Sequence, residues 1–336
     1  MATEVLAPRR QVAVGGWAAA VGAAAVVAVL RLLGIADDPA AQSFALVFTA
    51  IVVEALPFVL LGALVSALLE VYVPDRAFAR LGRLPVGLQL PAAALGGFAF
   101  PVCECGSVPV ARRLIAKGVN PSAGVAFMIA APIFNPVVLG STWVAYEARG
   151  LGMEMLLGRG ALGLLLALLV GWAVGGDGAG RLLRIDSEGD NADGGGTCCA
   201  PPGSKAQSFA AHLTNDFFYM GRFLVLGAAL AALIQTVVPQ SILAGAASTP
   251  LIAALALMAV AFVSSLCSEA DAFVAVSFTP FPLGSQLAFL VFGPVLDLKL
   301  FFLYGATFRR GVIGSIAALA VPITVAGALW FEVLIK

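Results

Sequence analysis

The sequence predicts an all-α, polytopic membrane protein, and its composition and long apolar runs lead to that class. Of the 336 residues, 61% are hydrophobic and only 11% are charged, and the mean hydropathy is +1.01. Several apolar runs reach the roughly 20 residues that an α-helix needs to cross a bilayer. The 19 basic and 19 acidic residues balance, so no nucleic-acid partner is expected. The expected surroundings are a lipid bilayer.

Apolar segments and one polar interruption divide the chain into four parts. The apolar segments lie at about residues 12–34, 44–73, 86–111, 121–146, 151–176, 208–238, 250–279, 284–306 and 310–335. The interruption is acidic and rich in Gly and Pro, which is typical of a flexible linker. We therefore predict an N-terminal helix (1–43), a first membrane repeat (44–176), a cytoplasmic linker (177–207) and a second membrane repeat (208–336). The first apolar run follows Arg9 and Arg10; it is long for a signal peptide, so we expect it to be retained.

The two membrane repeats resemble each other in sequence. EALPFVLLGALVSALLEVYVP (54–74) aligns without gaps to YMGRFLVLGAALAALIQTVVP (219–239), and AFMIAAPIFN (126–135) aligns to AFLVFGPVLD (288–297). The second register places Asn135 opposite Asp297 and Cys105 opposite Cys267. This similarity predicts a duplicated architecture.

The distribution of basic residues predicts how the repeats are oriented. Basic loop residues concentrate on the cytoplasmic side of a membrane. Two basic clusters flank the segment 86–111, namely Arg76, Arg80 and Arg83 before it and Arg112, Arg113 and Lys117 after it. Both stay inside if this segment enters the membrane and turns back, and Arg112 and Arg113 would then extend to the inner interface. We predict about seven spanning helices and two re-entrant hairpins in two inverted repeats, an arrangement typical of transporters. Nine simple crossings are the alternative.

The turn of the first hairpin would be PVCECGSVP, residues 101–109. Pro101 and Pro109 would end the helical arms and Gly106 would permit the turn. Cys103 and Cys105 could then point towards one cavity, where paired thiols bind soft ions; alternatively they are small apolar fillers. Glu104 between them is costly in hydrocarbon. It could carry a proton, neutralise a cationic substrate, or accept hydrogen bonds from nearby backbone.

The second hairpin carries SSLCSEADAF, residues 264–273. Cys267 could add a third thiol to Cys103 and Cys105, which would suit a pyramidal trivalent metalloid. Glu269 and Asp271 are candidate proton carriers, because burial favours the neutral form of a carboxyl group. An exposed hairpin end without a role is the alternative.

Two residues that follow the hairpins are candidate substrate ligands. Asn135 lies in APIFNP, where the flanking prolines would break a helix and free carbonyl groups. Its counterpart Asp297 lies two residues before Lys299. That spacing does not place both side chains on one helical face, so we expect their partners elsewhere in the fold.

The adjacent pair Cys198 and Cys199 in the linker could capture a soft ion and pass it to the hairpin thiols, or could be incidental. No phosphate loop of the GxxxxGK[ST] type and no dinucleotide fingerprint occurs, and His212 is the only histidine. These absences predict a protein without a nucleotide or haem cofactor.

The stretch PVCECGSVPVARRLIAKGVNPSAGVAFMIAAPIFNPVVL resembles the signature of predicted bacterial permeases that include the ArsP organoarsenical exporters. The matching elements are the Pro-x-Cys-x-Cys-Gly-x-x-Pro core (101–109), Gly118 to Pro121, and Ala131 to Pro136. The resemblance implies a permease of the bacterial inner membrane in which Cys103 and Cys105 contact the metalloid. A glutamate between the cysteines can mark a subgroup with another ligand.

Together these patterns favour a transporter over an enzyme. The leading hypothesis is a secondary active exporter of soft metal or metalloid species, with trivalent organoarsenicals exchanged for protons. A copper, zinc or other small-solute permease is the alternative within the class. A membrane thiol–disulfide oxidoreductase, with Cys103 and Cys105 as its redox pair, is the alternative from another class.

Overall fold

A computed structural model describes residues 38–73, 85–99, 102–176, 182–183, 205–237 and 249–335. The predicted N-terminal helix up to residue 37, the loop with Arg76, Arg80 and Arg83, Pro101, and the linker pair Cys198 and Cys199 lie outside the described residues.

The described ranges form twelve α-helices. In chain order they are α1 (Pro39–Tyr72), α2 (Val86–Ala99), α3 (Glu104–Ala116), α4 (Pro121–Ala130), α5 (Pro136–Glu147), α6 (Gly152–Gly175), α7 (Lys205–Val237), α8 (Pro250–Ser264), α9 (Asp271–Ala275), α10 (Leu283–Phe292), α11 (Leu298–Thr307) and α12 (Arg310–Ile335). Over the same ranges, β-pairing is limited to an isolated antiparallel bridge between Leu183 and Phe308. The predicted all-α class is confirmed.

Among the described helices, α1, α6, α7 and α12 are long and apolar enough to cross a membrane. Each exposes large apolar side chains, including Leu60, Trp172, Phe218 and Trp330. Exposing such apolar surfaces on four helices to water would be unfavourable, whereas exposing them to lipid is not. These features support a polytopic membrane protein.

Two predicted crossings are not single helices. The segment 121–146 is divided into α4 and α5, and 284–306 is divided into α10 and α11. Pro136 begins α5 directly after Asn135, and Leu298 begins α11 directly after Asp297. The helix break predicted at APIFNP is therefore confirmed, and its equivalent in the second half, 208–336, begins at the aligned position.

The interior of each half is organised around a short, mostly apolar helix that is buried on every side. Nine of the ten residues in α4 are buried, as are nine of the ten in α10. Helices that are hydrophobic all round are expected at the centre of a fold. α4 packs against α2, α3 and α6, while α10 packs against α8, α9 and α12. Contacts of α3 with α11 and of α5 with α9 connect the halves.

Glycines permit the closest helix approaches. A Cβ atom on Gly175 of α6 would overlap the main chain of Ser122 at the start of α4, and a Cβ on Gly62 of α1 would overlap Gly106 of α3. Gly106 lies in the first turn of α3, and positive φ among described glycines occurs at Gly118 and Gly150. The prediction that Gly106 makes the turn is wrong; it allows α1 to reach the cysteine-bearing helix end. Pro109 does not end a helix either, because it lies inside α3.

Candidate functional site

Two cysteine thiols meet at the start of α3. Cys103 is the N-cap residue, with extended backbone (φ −72°, ψ 176°), and Cys105 lies in the first turn. Since the N-cap residue is outside the helical spiral, its side chain can lie against the first turn, and the two thiols are close enough to interact. Both cysteines are buried and neither forms a disulfide. The helix break therefore brings together two residues that a continuous helix would separate.

Glu104 is buried with its carboxylate fully engaged. Its Oε1 lies 2.7 Å from Lys299 Nζ, and its Oε2 accepts a hydrogen bond of 3.1 Å from the Ser268 hydroxyl. Lys299 lies on α11 in the second half, and both side chains are about 1% exposed. An ion pair removed from water is stabilised only where such short, hydrogen-bonded contacts replace hydration. Glu104 therefore joins α3 directly to the second half.

Lys299 also approaches Asp297, which precedes it by two residues. Asp297 is the N-cap of α11, and its Oδ1 accepts a 2.6 Å hydrogen bond from Leu300 N–H. Its Oδ2 lies 3.6 Å from Lys299 Nζ. The expectation that their spacing would separate these two groups is wrong, because a cap residue lies outside the helix and its side chain folds back over the first turn. The expectation that Lys299 has a partner elsewhere is confirmed by Glu104.

Cys267 lies next to the same ammonium group. Its Sγ is 4.0 Å from Lys299 Nζ, and the residue is 2% exposed. The chain enters this segment through Ser265, the left-handed C-cap of α8 with φ 49°, a conformation that costs free energy outside glycine. Ser268 and Asp271 are buried as well. The alternative that the 264–273 stretch is an exposed hairpin end is therefore wrong.

Asp271 is held by an arginine from the first half. Arg159 of α6 is fully buried and donates to Oδ1 at 2.8 Å and to Oδ2 at 2.7 Å. The same guanidinium donates to Thr142 Oγ1 at 2.8 Å and to the Ser268 carbonyl at 3.2 Å. Paired N–H groups on a planar guanidinium match a carboxylate in this geometry.

These contacts form one continuous chain, which we call the central ion-pair network. It consists of Asp297, Lys299, Glu104, Ser268, Arg159 and Asp271. Glu104 and Arg159 come from the first half and the other members from the second. Ser268 connects the two ion pairs, because its hydroxyl donates to Glu104 and its carbonyl accepts from Arg159. The Lys299–Glu104 and Arg159–Asp271 ion pairs each join the two halves.

A family described as predicted permease, ArsP_1, matches this chain over residues 40–333. The chain belongs to this family of predicted permeases. It is 38% identical over 285 residues to UPF0718 protein YcgR of Bacillus subtilis, covering 84% of this chain and 95% of that protein. It is 34% identical over 262 residues to a Streptococcus mutans protein named "Putative two-component membrane permease complex subunit", covering 75% and 83%. No solved structure matches. Family membership and the apolar helices support a multi-pass membrane protein with a transport role.

Asn135, Glu269 and Glu54 are further polar residues in the apolar segments of the permease. Asn135 is the N-cap of α5; its Oδ1 accepts from Val137 N–H at 2.9 Å, while its buried Nδ2 has no hydrogen-bond partner. Glu269 is partly buried, and its Oε2 also lacks a hydrogen bond. Glu269 and Glu54 of α1 are both close enough to Lys299 and Glu104 to interact electrostatically.

Among the residues that the structure describes, no group of three or more His, Cys, Asp or Glu side chains is arranged to hold a metal ion. Two thiols lie at the start of α3, two residues apart in sequence, and the third lies beside Lys299. The geometry therefore presents a dithiol with a charged neighbour.

A second ion-pair cluster surrounds Arg113, which lies in the last turn of α3, at the opposite end from Cys105. Its guanidinium lies 3.1 Å from Glu70 Oε2 and 3.2 Å from Asp216 Oδ1, and Ser66 donates to Asp216 at 2.7 Å. Arg113 therefore does not simply extend to the interface as expected; it connects α1, α3 and α7. Arg159 and Lys299, each the only basic residue of its apolar segment (151–176 and 284–306), are what the sequence reasoning missed as central residues. Their isolation in apolar runs was the available signal.

Proposed function

We propose that this permease is a secondary active exporter of soft metal or metalloid species, with trivalent organoarsenicals as cargo and protons as the exchanged ion. The observation that carries the proposal is the pair of neighbouring, reduced thiols of Cys103 and Cys105, buried where a helix begins. Irregular backbone at membrane depth occurs where it is packed in protein or lines a cavity. A soft electrophile is the ligand class that such a pair selects.

The pair of neighbouring thiols, Cys103 and Cys105, favours an organic arsenical over inorganic arsenite. Methylarsenous acid keeps its As–C bond and exchanges two hydroxyls for two thiolates, releasing two molecules of water. Cys103 and Cys105 supply those two sulfur atoms. Arsenite could use a third thiol, but among the described residues Cys103, Cys105 and Cys267 do not form a three-ligand group that could hold an ion.

Inverted repeats would provide the two access states. The proposal is supported by matching helix boundaries: α4 and α10 each have ten residues, and Asn135 and Asp297 each cap the following helix at aligned positions. α3 contacts α11 of the second half, and α9 contacts α5 of the first half. Rocking of one repeat against the other would expose the thiols to each side in turn. The membrane is the bacterial cytoplasmic membrane in this proposal.

Proton exchange supplies the driving force in this scheme. The sequence predicts Glu104, Glu269 and Asp271 as the carboxyl groups that carry the proton. Glu104 and Asp271 are held by Lys299 and Arg159, whereas Glu269 has a carboxylate oxygen without a hydrogen bond. A carboxyl group that carries the proton must therefore either separate from its lysine or arginine partner or have no such partner at the start.

The S. mutans relative is named as a subunit of a two-component complex. By analogy, a second subunit could accompany this chain. Co-purification from the native membrane would reveal it. The linker pair Cys198 and Cys199 would capture soft cargo from the cytosol and pass it to Cys103 and Cys105.

Transport by everted membrane vesicles tests the proposed function. Under an imposed proton gradient, wild-type vesicles are expected to accumulate methylarsenite above arsenite, Cu(I) and Zn(II). Cys103→Ser/Cys105→Ser should abolish this accumulation, because a hydroxyl does not replace a thiolate as a ligand for arsenic. Ala111→Ser is the matched control, since it also adds a buried hydroxyl to α3, where a helix carbonyl can accept from it.

Other outcomes distinguish the alternatives. Accumulation of Cu(I) or Zn(II) in place of methylarsenite would identify a metal exporter. A disulfide between Cys103 and Cys105 that forms and is reduced during turnover would identify the oxidoreductase. Equal uptake by the wild type and the double cysteine variant would contradict cargo binding by these thiols.

A further inference from the structure

The central ion-pair network contains one ammonium group between two carboxyl groups. Lys299 Nζ lies 2.7 Å from Glu104 Oε1 and 3.6 Å from Asp297 Oδ2. Glu104 has a second donor in Ser268, whereas Asp297 Oδ2 is buried without any hydrogen bond. If both carboxyl groups are ionised, the cluster around Lys299 carries one uncompensated negative charge.

The capping role of Asp297 does not account for that charge. Its aligned counterpart Asn135 caps α5 through the same type of contact, a side-chain oxygen accepting from a backbone N–H. Asparagine and aspartate are comparable N-cap residues. The second half therefore carries a carboxyl group where the first half performs the same local task with a neutral amide.

An unpaired carboxylate away from water is costly, with an effective penalty of several kcal/mol even after relaxation. A proton on Asp297 would remove that cost without disturbing the Lys299–Glu104 pair. The ionisable groups next to Asp297 are Lys299, Glu104 and Tyr304. Cys105, Cys267 and Glu54 lie near Lys299. Of the other helices packed against α11, α8 has no ionisable side chain, and the described ionisable residues of α7 and α12 are Lys205, His212, Asp216, Tyr219, Arg222 and Glu332.

We propose that Asp297 is the group that carries the exchanged proton, and that Lys299 moves between Glu104 and Asp297 as that proton leaves and returns. The inference rests on the proposed proton antiport and names its carrier in place of Glu104, Glu269 or Asp271. It also gives Asp297 a role other than the cargo contact expected from the sequence.

The arrangement connects proton occupancy to the contact between the halves. When Asp297 is protonated, Lys299 is paired with Oε1 of Glu104, and the Ser268 hydroxyl donates to Oε2 of the same carboxylate. Release of the proton leaves a carboxylate 3.6 Å from the ammonium group, which draws Lys299 away from Glu104. The link between α3 and the second half is then weakened next to Cys103 and Cys105. Proton release would thus loosen the contact that separates the two access states.

The pH profile of methylarsenite counterflow tests the assignment, with the same pH on both sides of the vesicle membrane so that no gradient drives transport. Wild-type counterflow is expected to vary at least fivefold between pH 5.5 and pH 8.5, because only one protonation state of Asp297 favours exchange between access states. Asp297→Asn should flatten that profile to within twofold. Glu269→Gln is the comparison, and it should keep the wild-type profile. A flat profile for Glu269→Gln together with a normal profile for Asp297→Asn would overturn the proposal.

Carbodiimide labelling of the wild-type protein gives a second test that needs no variant. Dicyclohexylcarbodiimide reacts with protonated carboxyl groups in apolar surroundings, and mass spectrometry locates the adduct. Labelling of Asp297 is expected to fall at least threefold as the pH rises from 5.5 to 8.5. Labelling confined to Glu104, Glu269 or Asp271 would overturn the assignment. If wild-type vesicles instead show no dependence on a proton gradient, the proposed antiport itself fails, whatever the labelling pattern.

Discussion

Lys299→Met protein is expected to unfold far more readily than the wild type, with a loss of about 3–5 kcal/mol in the free energy of unfolding. Lys299 is about 1% exposed and is the ammonium partner of Glu104 and Asp297. Methionine fills a similar volume but leaves both buried carboxyl groups without their cation. The measurement is thermal or denaturant unfolding of purified protein in detergent.

A double substitution separates charge from packing. Lys299→Met/Glu104→Gln removes one buried carboxylate along with the lysine, so it should recover a large part of the lost stability. Lys117→Met is the control, since Lys117 lies 3.5 Å from Glu70 in a pair that is partly exposed, and such pairs contribute about 1 kcal/mol or less. Equal destabilisation by Lys299→Met and Lys117→Met would contradict the structural role of the network.

Arg159→Met is expected to destabilise the protein to a similar degree, and Arg159→Lys should not restore it. The guanidinium of Arg159 makes four contacts, two with Asp271 and one each with Thr142 and the Ser268 carbonyl. A lysine ammonium cannot make the paired contacts with a carboxylate that a planar guanidinium makes. Unfolding of both variants, and of Arg159→Met/Asp271→Asn, measures the effect.

The double variant should be more stable than Arg159→Met, because it removes the carboxylate that would be left unpaired. Arg149→Met is the control, as Arg149 is only partly buried and its described hydrogen bond is one of 2.6 Å to the Val276 carbonyl. A lysine variant as stable as the wild type would show that the charge of Arg159 matters and its geometry does not.

Local pattern was sufficient to predict the class, the long apolar helices and the helix break before Pro136, since these depend on composition and on proline. It was not sufficient for the course of the chain near 101–109. Pro109 and Gly106 were expected to shape a turn, and both lie within α3. A proline near the start of a helix is tolerated, and a glycine also serves where another helix approaches closely.

The candidate residues of the site were visible as polar groups in apolar segments, but their partners were not. Glu104 and Lys299 are 195 residues apart, and Arg159 and Asp271 are 112 apart. No periodicity or spacing rule relates such positions, because tertiary packing alone brings them together. The sequence predicts that Lys299 has a partner elsewhere, but it does not identify Glu104, and the spacing rule that separates Lys299 from Asp297 applies inside helices and not at their caps.

Arsenic K-edge X-ray absorption on purified protein loaded with methylarsenite tests the central claim most directly. We expect arsenic bound to one carbon and two sulfur atoms, with one sulfur lost in Cys103→Ser and one lost in Cys105→Ser. Arsenic that keeps oxygen neighbours in the wild type, or keeps both sulfur atoms in either variant, would contradict a cargo site at the start of α3.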